Sequence, residues 1–134
     1  MNFPEEVSKN RVLFIVNPTS GSRPSRFRVN FLKKYLDADR YEYEVYTTTN
    51  AGNGFYIVKK RLEDFDGFIA VGGDGTVNEV FKAILGSNKW FSVIPNGSGN
   101  GLARTLGIPM NPEKAVKHLN SANIKRIDYG ILNN

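Results

Sequence analysis

The chain reads as an α/β protein with a doubly wound, mostly parallel sheet flanked by helices. Three observations predict this. Short apolar runs alternate with segments whose apolar residues recur every three or four positions, so the period switches repeatedly between buried strand and helix. Glycine-rich turns follow three of the apolar runs: Asn17-Pro18-Thr19-Ser20-Gly21, Gly72-Gly73-Asp74-Gly75-Thr76 and Pro95-Asn96-Gly97-Ser98-Gly99-Asn100. Strands separated by helices run parallel, which puts all three turns on one rim, at the strand carboxyl ends where such sheets bind ligands.

Each element has its own justification. Residues 11–16 form a continuous apolar block, the mark of a strand buried on both faces. Residues 17–25 are loop, after which Phe27, Phe31, Leu32 and Tyr35 recur at helical spacing. Residues 41–48 are rich in aromatic and β-branched types and predict a second strand. Residues 51–54 break it, and Phe55, Val58, Lys59 and Leu62 predict a short helix. Residues 67–71 predict the third strand, and Val77, Val80, Phe81, Ile84 and Leu85 the buried stripe of the next helix. Residues 90–94 form the fourth strand, and a helix over 102–106 stops at Gly107-Ile108-Pro109. Pro112 can open a helix over 113–119 as its first residue, and 124–132 reads as a last strand. Residues 1–10 are expected to be a tail and 11–134 one domain.

Composition narrows the function. With 134 residues, 40% hydrophobic and 23% charged, the chain can bury a sizeable core. No apolar stretch approaches the about 18 residues of a membrane span, and the first six residues are polar and acidic, unlike a secretory leader. The absence of cysteine excludes disulfides and thiolate metal sites and fits a cytoplasmic protein. A single histidine, His118, leaves no room for a multi-histidine metal site. Net charge is +5, with Arg23, Arg26, Arg28, Lys33, Lys34 and Arg40 early in the chain, so anionic partners are favoured.

The turn at 72–76 carries the chemistry. Adjacent glycines let backbone N–H groups approach an anion with no side chain between, and the following helix adds its positive end. An anion site that includes a carboxylate, Asp74, points to nucleotide with Mg²⁺. Thr76 and Glu79 also have capping-box spacing, so Glu79 has a structural reading as well. In the third turn Ser98 offers a hydroxyl to a phosphate. No P-loop motif occurs, and the dinucleotide fingerprint fails at Gly97-Ser98-Gly99 because Leu102 replaces the third glycine.

Asn17-Pro18-x-Ser20-Gly21, then Gly72-Gly73-Asp74-Gly75-Thr76-x-Asn78-Glu79-Val80, then Pro95-x-Gly97-Ser98-Gly99-Asn100-x-x-Ala103-Arg104 and Leu106-Gly107-Ile108-Pro109, taken together, resemble the diacylglycerol kinase catalytic-domain family. That family includes bacterial lipid kinases and the sphingosine and ceramide kinases, and Ile127-Asp128-Tyr129-Gly130 resembles the strand leading to its second domain. The resemblance covers residues 11–134. It implies a Rossmann-like fold of the phosphofructokinase and NAD kinase type, and phosphoryl transfer from ATP with Mg²⁺ to a lipid hydroxyl in phospholipid metabolism. By the same resemblance the nucleotide is held by Asn17, Ser20, Gly21, Thr48, Gly72, Gly73, Asp74, Gly75, Thr76, Val77, Asn78, Gly97, Ser98, Gly99 and Asn100. Asp74 is the implied catalytic residue and an indirect, water-mediated ligand of Mg²⁺.

Two departures shape the expectation. Gly101 stands where many bacterial members carry aspartate, which is similar to the sphingosine-kinase pattern. The β-rich second domain of the family, which helps build the lipid site, has no counterpart here, so this segment is expected to bind nucleotide weakly and turn over little. The expected partners are ATP and a diacylglycerol-like or sphingoid lipid, with peripheral contact at the inner membrane face and a homodimer as further expectations. Nucleic acid is not expected. A kinase of another small metabolite, similar to NAD kinase, and a catalytically silent nucleotide-binding module remain the alternatives.

Overall fold

A strand whose five consecutive residues are all apolar has no face to offer to water, so it must lie inside the sheet. The computed structural model, which describes residues 9–20, 23–24, 26–96 and 101–122, places β1 (Asn10–Val16) there. Val12, Leu13, Phe14 and Ile15 are at most 1% exposed. Its neighbours are β4 (Tyr41–Thr47) and β5 (Gly67–Gly72), and β6 (Trp90–Pro95) completes the sheet in the order β4-β1-β5-β6, all parallel. The register pairs Val16 with both Thr47 and Val71, and Gly72 with Pro95. All four strands therefore end on one rim.

The chain leaves β1, forms β4 on one side, then crosses to β5 on the other. Right-handed crossovers put α1 (Asn30–Tyr35) on one face and α2 (Asn53–Lys60) and α3 (Asp74–Ile84) on the opposite one. The packing follows suit: α1 lies against α5 (Pro112–Leu119), and α2 against α3. The short α4 (Gly101–Thr105) packs on β6. Val58, Val80, Ala83, Val116 and Leu119 close the core from the two sides. This is the doubly wound α/β architecture expected from the alternation of periods.

Helix ends obey local chemistry. Asn111 caps α5 by accepting from the Lys114 N–H at 3.0 Å, with Pro112 in the first turn. Gly107 ends α4 in the left-handed region, φ +71°, while the Ile108 N–H returns to the Ala103 carbonyl at 2.9 Å.

Four elements differ from the sequence expectation. Helix α1 begins only at Asn30, so Phe27, expected on its stripe, precedes it. The loop at 17–25 contains a two-stranded antiparallel ribbon, β2 (Thr19–Ser20) and β3 (Arg23–Pro24). The helix predicted by Phe55 and Leu62 is shifted back to begin at Asn53, and Leu62–Asp64 forms a separate 3-10 turn. Helix α3 begins at Asp74, because Gly73 is extended at φ −91° and ψ −165° and serves as the cap residue. The strand expected at 124–132 lies outside the described residues.

Opposite the rim, the base of the sheet is pinned by polar contacts of long sequence separation. Asn120 accepts from the Asp37 N–H and donates to the Tyr35 carbonyl, both at 2.8 Å. Arg40 reaches the carbonyls of Asn120 and Ala122. The Tyr41 hydroxyl donates to the Leu119 carbonyl at 2.6 Å. Burial pushes the Tyr41 hydroxyl above its ordinary pKa of 10.0; Arg40 pulls it down and Asp37 pushes it up. A raised folded-state pKa for an acid means that the stabilisation is complete below pH 10 and is lost as pH rises through the folded value. Tyr41→Phe is expected to cost about 1 kcal/mol at neutral pH. It is also expected to flatten the loss of stability above pH 10, as read by urea unfolding at pH 7 to 11.

Candidate functional site

The chain passes from β1 to β4 and then back across to β5, so the strand order reverses beside β1. The carboxyl ends there open into a crevice with no crossover above it. A cleft of about 460 Å³ occupies this place. One wall is Asn17, Pro18 and Thr19 after β1; a second is Thr48, Thr49, Asn50 and Ala51 after β4; Gly75, Thr76 and Glu79 of α3 form the third.

Each wall is set by the strand beneath it. The Asn17 N–H donates to the Val71 carbonyl and the Thr48 N–H to the Val16 carbonyl, both at 2.9 Å, so pairing extends one residue past β1 and β4. The Asn17 Oδ1 then accepts from the Thr19 N–H at 3.0 Å and from its hydroxyl at 3.2 Å, an Asx turn that bends the chain over the rim. In the second wall, the Asn53 Oδ1 takes the Tyr46 hydroxyl at 3.0 Å, the Thr49 N–H at 3.1 Å and the Thr49 hydroxyl at 3.4 Å.

Helix α3 enters against Gly72. A Cβ there would lie 2.8 Å from Thr76 Oγ1, 3.0 Å from Thr76 Cβ and 3.3 Å from Asn17 Cβ. The glycine thus lets the first turn of α3 close onto the strand end, with Thr76 buried beneath it. The expected capping box is not formed: no side chain caps α3, and Thr76 lies inside the helix. The first helical bond is Val77 N–H to the Gly73 carbonyl at 3.1 Å, so the N–H groups of the opening turn have no partner within the helix. Glu79, assigned to that box by spacing, accepts instead from the Gly52 N–H across the cleft. Cβ atoms at Gly73 and Gly75 would meet nothing within 4 Å, so the approach to this helix end is open.

Of the residues implied by resemblance, the structure brings Asn17, Thr48, Gly75 and Thr76 together around the cleft. Gly72 and Gly73 supply the backbone beneath it. Asp74 is the first residue of α3 and exposed, and Asn78 is exposed one turn on. Val77 packs into the hydrophobic core. Ser20 lies in the ribbon strand β2. Gly21, Gly97, Ser98, Gly99 and Asn100 lie outside the described residues. Just before that last turn, Asn96 is 2% exposed; its Oδ1 accepts from the Arg26 N–H at 2.9 Å, while its Nδ2 has no partner among the described residues. Gly101 opens α4, and a Cβ there would meet nothing within 4 Å, so sterics do not exclude an acid at this position.

Sequence reading left Glu79 between a structural and a functional role and missed Asn53 as the organiser of the second wall. The signal for Asn53 was its place at the start of a helix after three threonines. The Gly52 partner of Glu79 had no such signal, since it is 27 positions away. Among the described residues no three His, Asp or Glu side chains converge on one point, and no helix is long and apolar enough to cross a membrane.

The family model for the diacylglycerol kinase catalytic domain matches residues 11–132. A diacylglycerol kinase of Bacillus subtilis (strain 168) is 35% identical over 127 residues, which cover 92% of this chain and 42% of the relative. One of Staphylococcus carnosus (strain TM300) is 32% identical over 128 residues, with 93% and 42% covered. A crystal structure of a diacylglycerol kinase from Bacillus anthracis strain Sterne matches with a TM-score of 0.69 at 28% identity, covering 84% of this chain and 42% of that one. The chain thus spans less than half the length of the relatives it matches.

Gly72→Ala tests how the site is built. The added methyl must push Thr76 and Asn17 apart from the strand end, at an expected cost of about 1–3 kcal/mol. Chemical unfolding measures the loss, and amide shifts at Asn17 and Thr76 should exceed those at the base of the sheet.

Proposed function

The chain belongs to the diacylglycerol kinase catalytic-domain family, and from that premise we propose that it is the nucleotide-binding domain of an ATP- and Mg²⁺-dependent lipid kinase. In this reading residues 11–134 are the N-terminal half of a two-domain enzyme, cytoplasmic and peripheral to the membrane. The observation that carries the reading is the uncapped start of α3, opening beside Gly75 and Thr76 into the cleft at the strand-order reversal. Free N–H groups, a helix dipole and a glycine-lined approach together suit a polyphosphate.

Phosphoryl transfer asks a protein mainly for positioning and for stabilisation of charge on the transferred group. The N–H groups of the first turn of α3 would donate to phosphate oxygens. The Thr48 and Asn17 side chains stand across the cleft, where they would fix the nucleotide's direction. The residues present fit a nucleotide-bound metal: Asp74 offers one exposed carboxylate at the anion end and would hold the ion through water. Bound Mg²⁺ would neutralise the charge that develops on the phosphates. The Asp74 carboxylate would also receive the proton of the acceptor hydroxyl. The relatives' extra length supports placing the lipid pocket outside these residues, so the acceptor is a diacylglycerol-like or sphingoid alcohol bound largely elsewhere.

Two outcomes check this. Titrating ATP with Mg²⁺ into this chain should shift the backbone amide signals of residues 72–76 more than those of β6; unmoved signals there would refute the nucleotide site. In the full-length protein Asp74→Asn should lower kcat at least about 100-fold while leaving the unfolding midpoint within error. A wild type that is already inactive towards a panel of lipid alcohols would favour a silent nucleotide-binding module instead.

A further inference from the structure

We propose that Glu79 is a positioning residue: it latches the loop after β4 to α3 and so fixes the width of the cleft. The proposal rests on the cleft being the nucleotide site, although the latch itself can be measured without nucleotide.

Glu79 Oε1 accepts from the Gly52 N–H, joining α3 to the start of α2. Gly52 heads α2 in the left-handed region, at φ +84° and ψ −15°, with no side-chain cap of its own. The Glu79 carboxylate therefore takes, from another helix, the N–H of the residue that precedes α2, the bond a third-position glutamate makes in a capping box, and its charge sits at the favourable end of that helix. Contact is close: a Cβ on Gly54 would be 3.0 Å from Glu79 Oε2 and 3.3 Å from Ile15 Cγ2.

The loop between is already stiff. Asn53 gathers Tyr46 and Thr49 onto one oxygen, and Thr48 is bonded to Val16. A segment so braced moves as a body about its attachments. It is attached through the β1 ladder, through the packing of α2 on α3, and at its far end through the Glu79 bond. Removing the Glu79 acceptor would free the wall that carries Thr48, Thr49, Asn50 and Ala51 to swing away from Gly75 and Thr76. A cap within α3 would have left that wall untouched.

The test compares Glu79→Ala with Glu79→Gln, whose amide oxygen can accept the same bond without charge. In the free chain, hydrogen exchange at the Gly52 amide should become about tenfold faster in Glu79→Ala, with sheet amides such as Val71 unchanged. Affinity for ATP with Mg²⁺ should fall about tenfold in the same variant. Glu79→Gln, which loses the charge but keeps the acceptor, should lose clearly less in both, about threefold. If the alanine variant loses sheet protection, Glu79→Asp, which retains charge but shortens the reach, should expose Gly52 in the same way. Unchanged Gly52 exchange would overturn the latch. Equal loss of affinity in the alanine and glutamine variants would also overturn it, since the charge would then act directly on the ligand. Should the wild type bind no nucleotide, the reading of the cleft fails while the exchange result still decides the latch.

Discussion

The two-sided burial of β1 is the constraint on which the molecule depends. A strand with apolar side chains on both faces must have helices above and below, and its neighbours must run parallel so that the crossovers can supply them. Parallel strands end together, and the reversal of direction beside β1 leaves a place on the rim that no crossover between the described strands covers. The crevice between Asn17, Thr48 and Gly75 is therefore a by-product of how Val12, Leu13, Phe14, Ile15 and Val16 are shielded from water. Polar function is positioned by apolar packing.

At the rim, backbone geometry rather than side-chain bulk does the shaping. Gly72 gives way so that Thr76 can tuck against the strand end, and Gly73 runs extended so that the helix starts one residue later. Asn17 and Asn53, by contrast, use their side-chain oxygens to fold their own loops. The result is a cleft whose open donors belong mainly to the peptide backbone, an arrangement that favours charge recognition without asking for a particular side chain.

The strands were legible because their signals are local: residues 11–16 and 67–71 are apolar with no polar interruption, and burial of both faces is the simplest reason for that. The starts of the three turns, at Asn17, Gly72 and Pro95, were legible as a group because parallel strands carry them to one edge. The start of α3 was read wrongly, since Thr76 and Glu79 have the spacing of a cap, and only the close approach at Gly72 decides that Thr76 lies inside the helix. The ribbon between Thr19 and Pro24 gave no alternation long enough to notice. The Glu79 partner was illegible for a physical reason: the bond to Gly52 exists only after α2 and α3 have packed together, and no sequence spacing encodes it.

The bond between Asn17 and Val71 has a consequence for how the protein assembles. Pairing β1 with β4 closes a modest loop and can occur early, but that pair alone possesses only two of the three walls. The third arrives only when β5 docks and brings α3 with it, pairing Asn17 with a residue more than fifty positions along the chain. A half-formed chain then has nothing with which to hold a ligand. Any molecule that fills the cleft binds the finished fold alone, so occupancy would act as selective ballast for the native state.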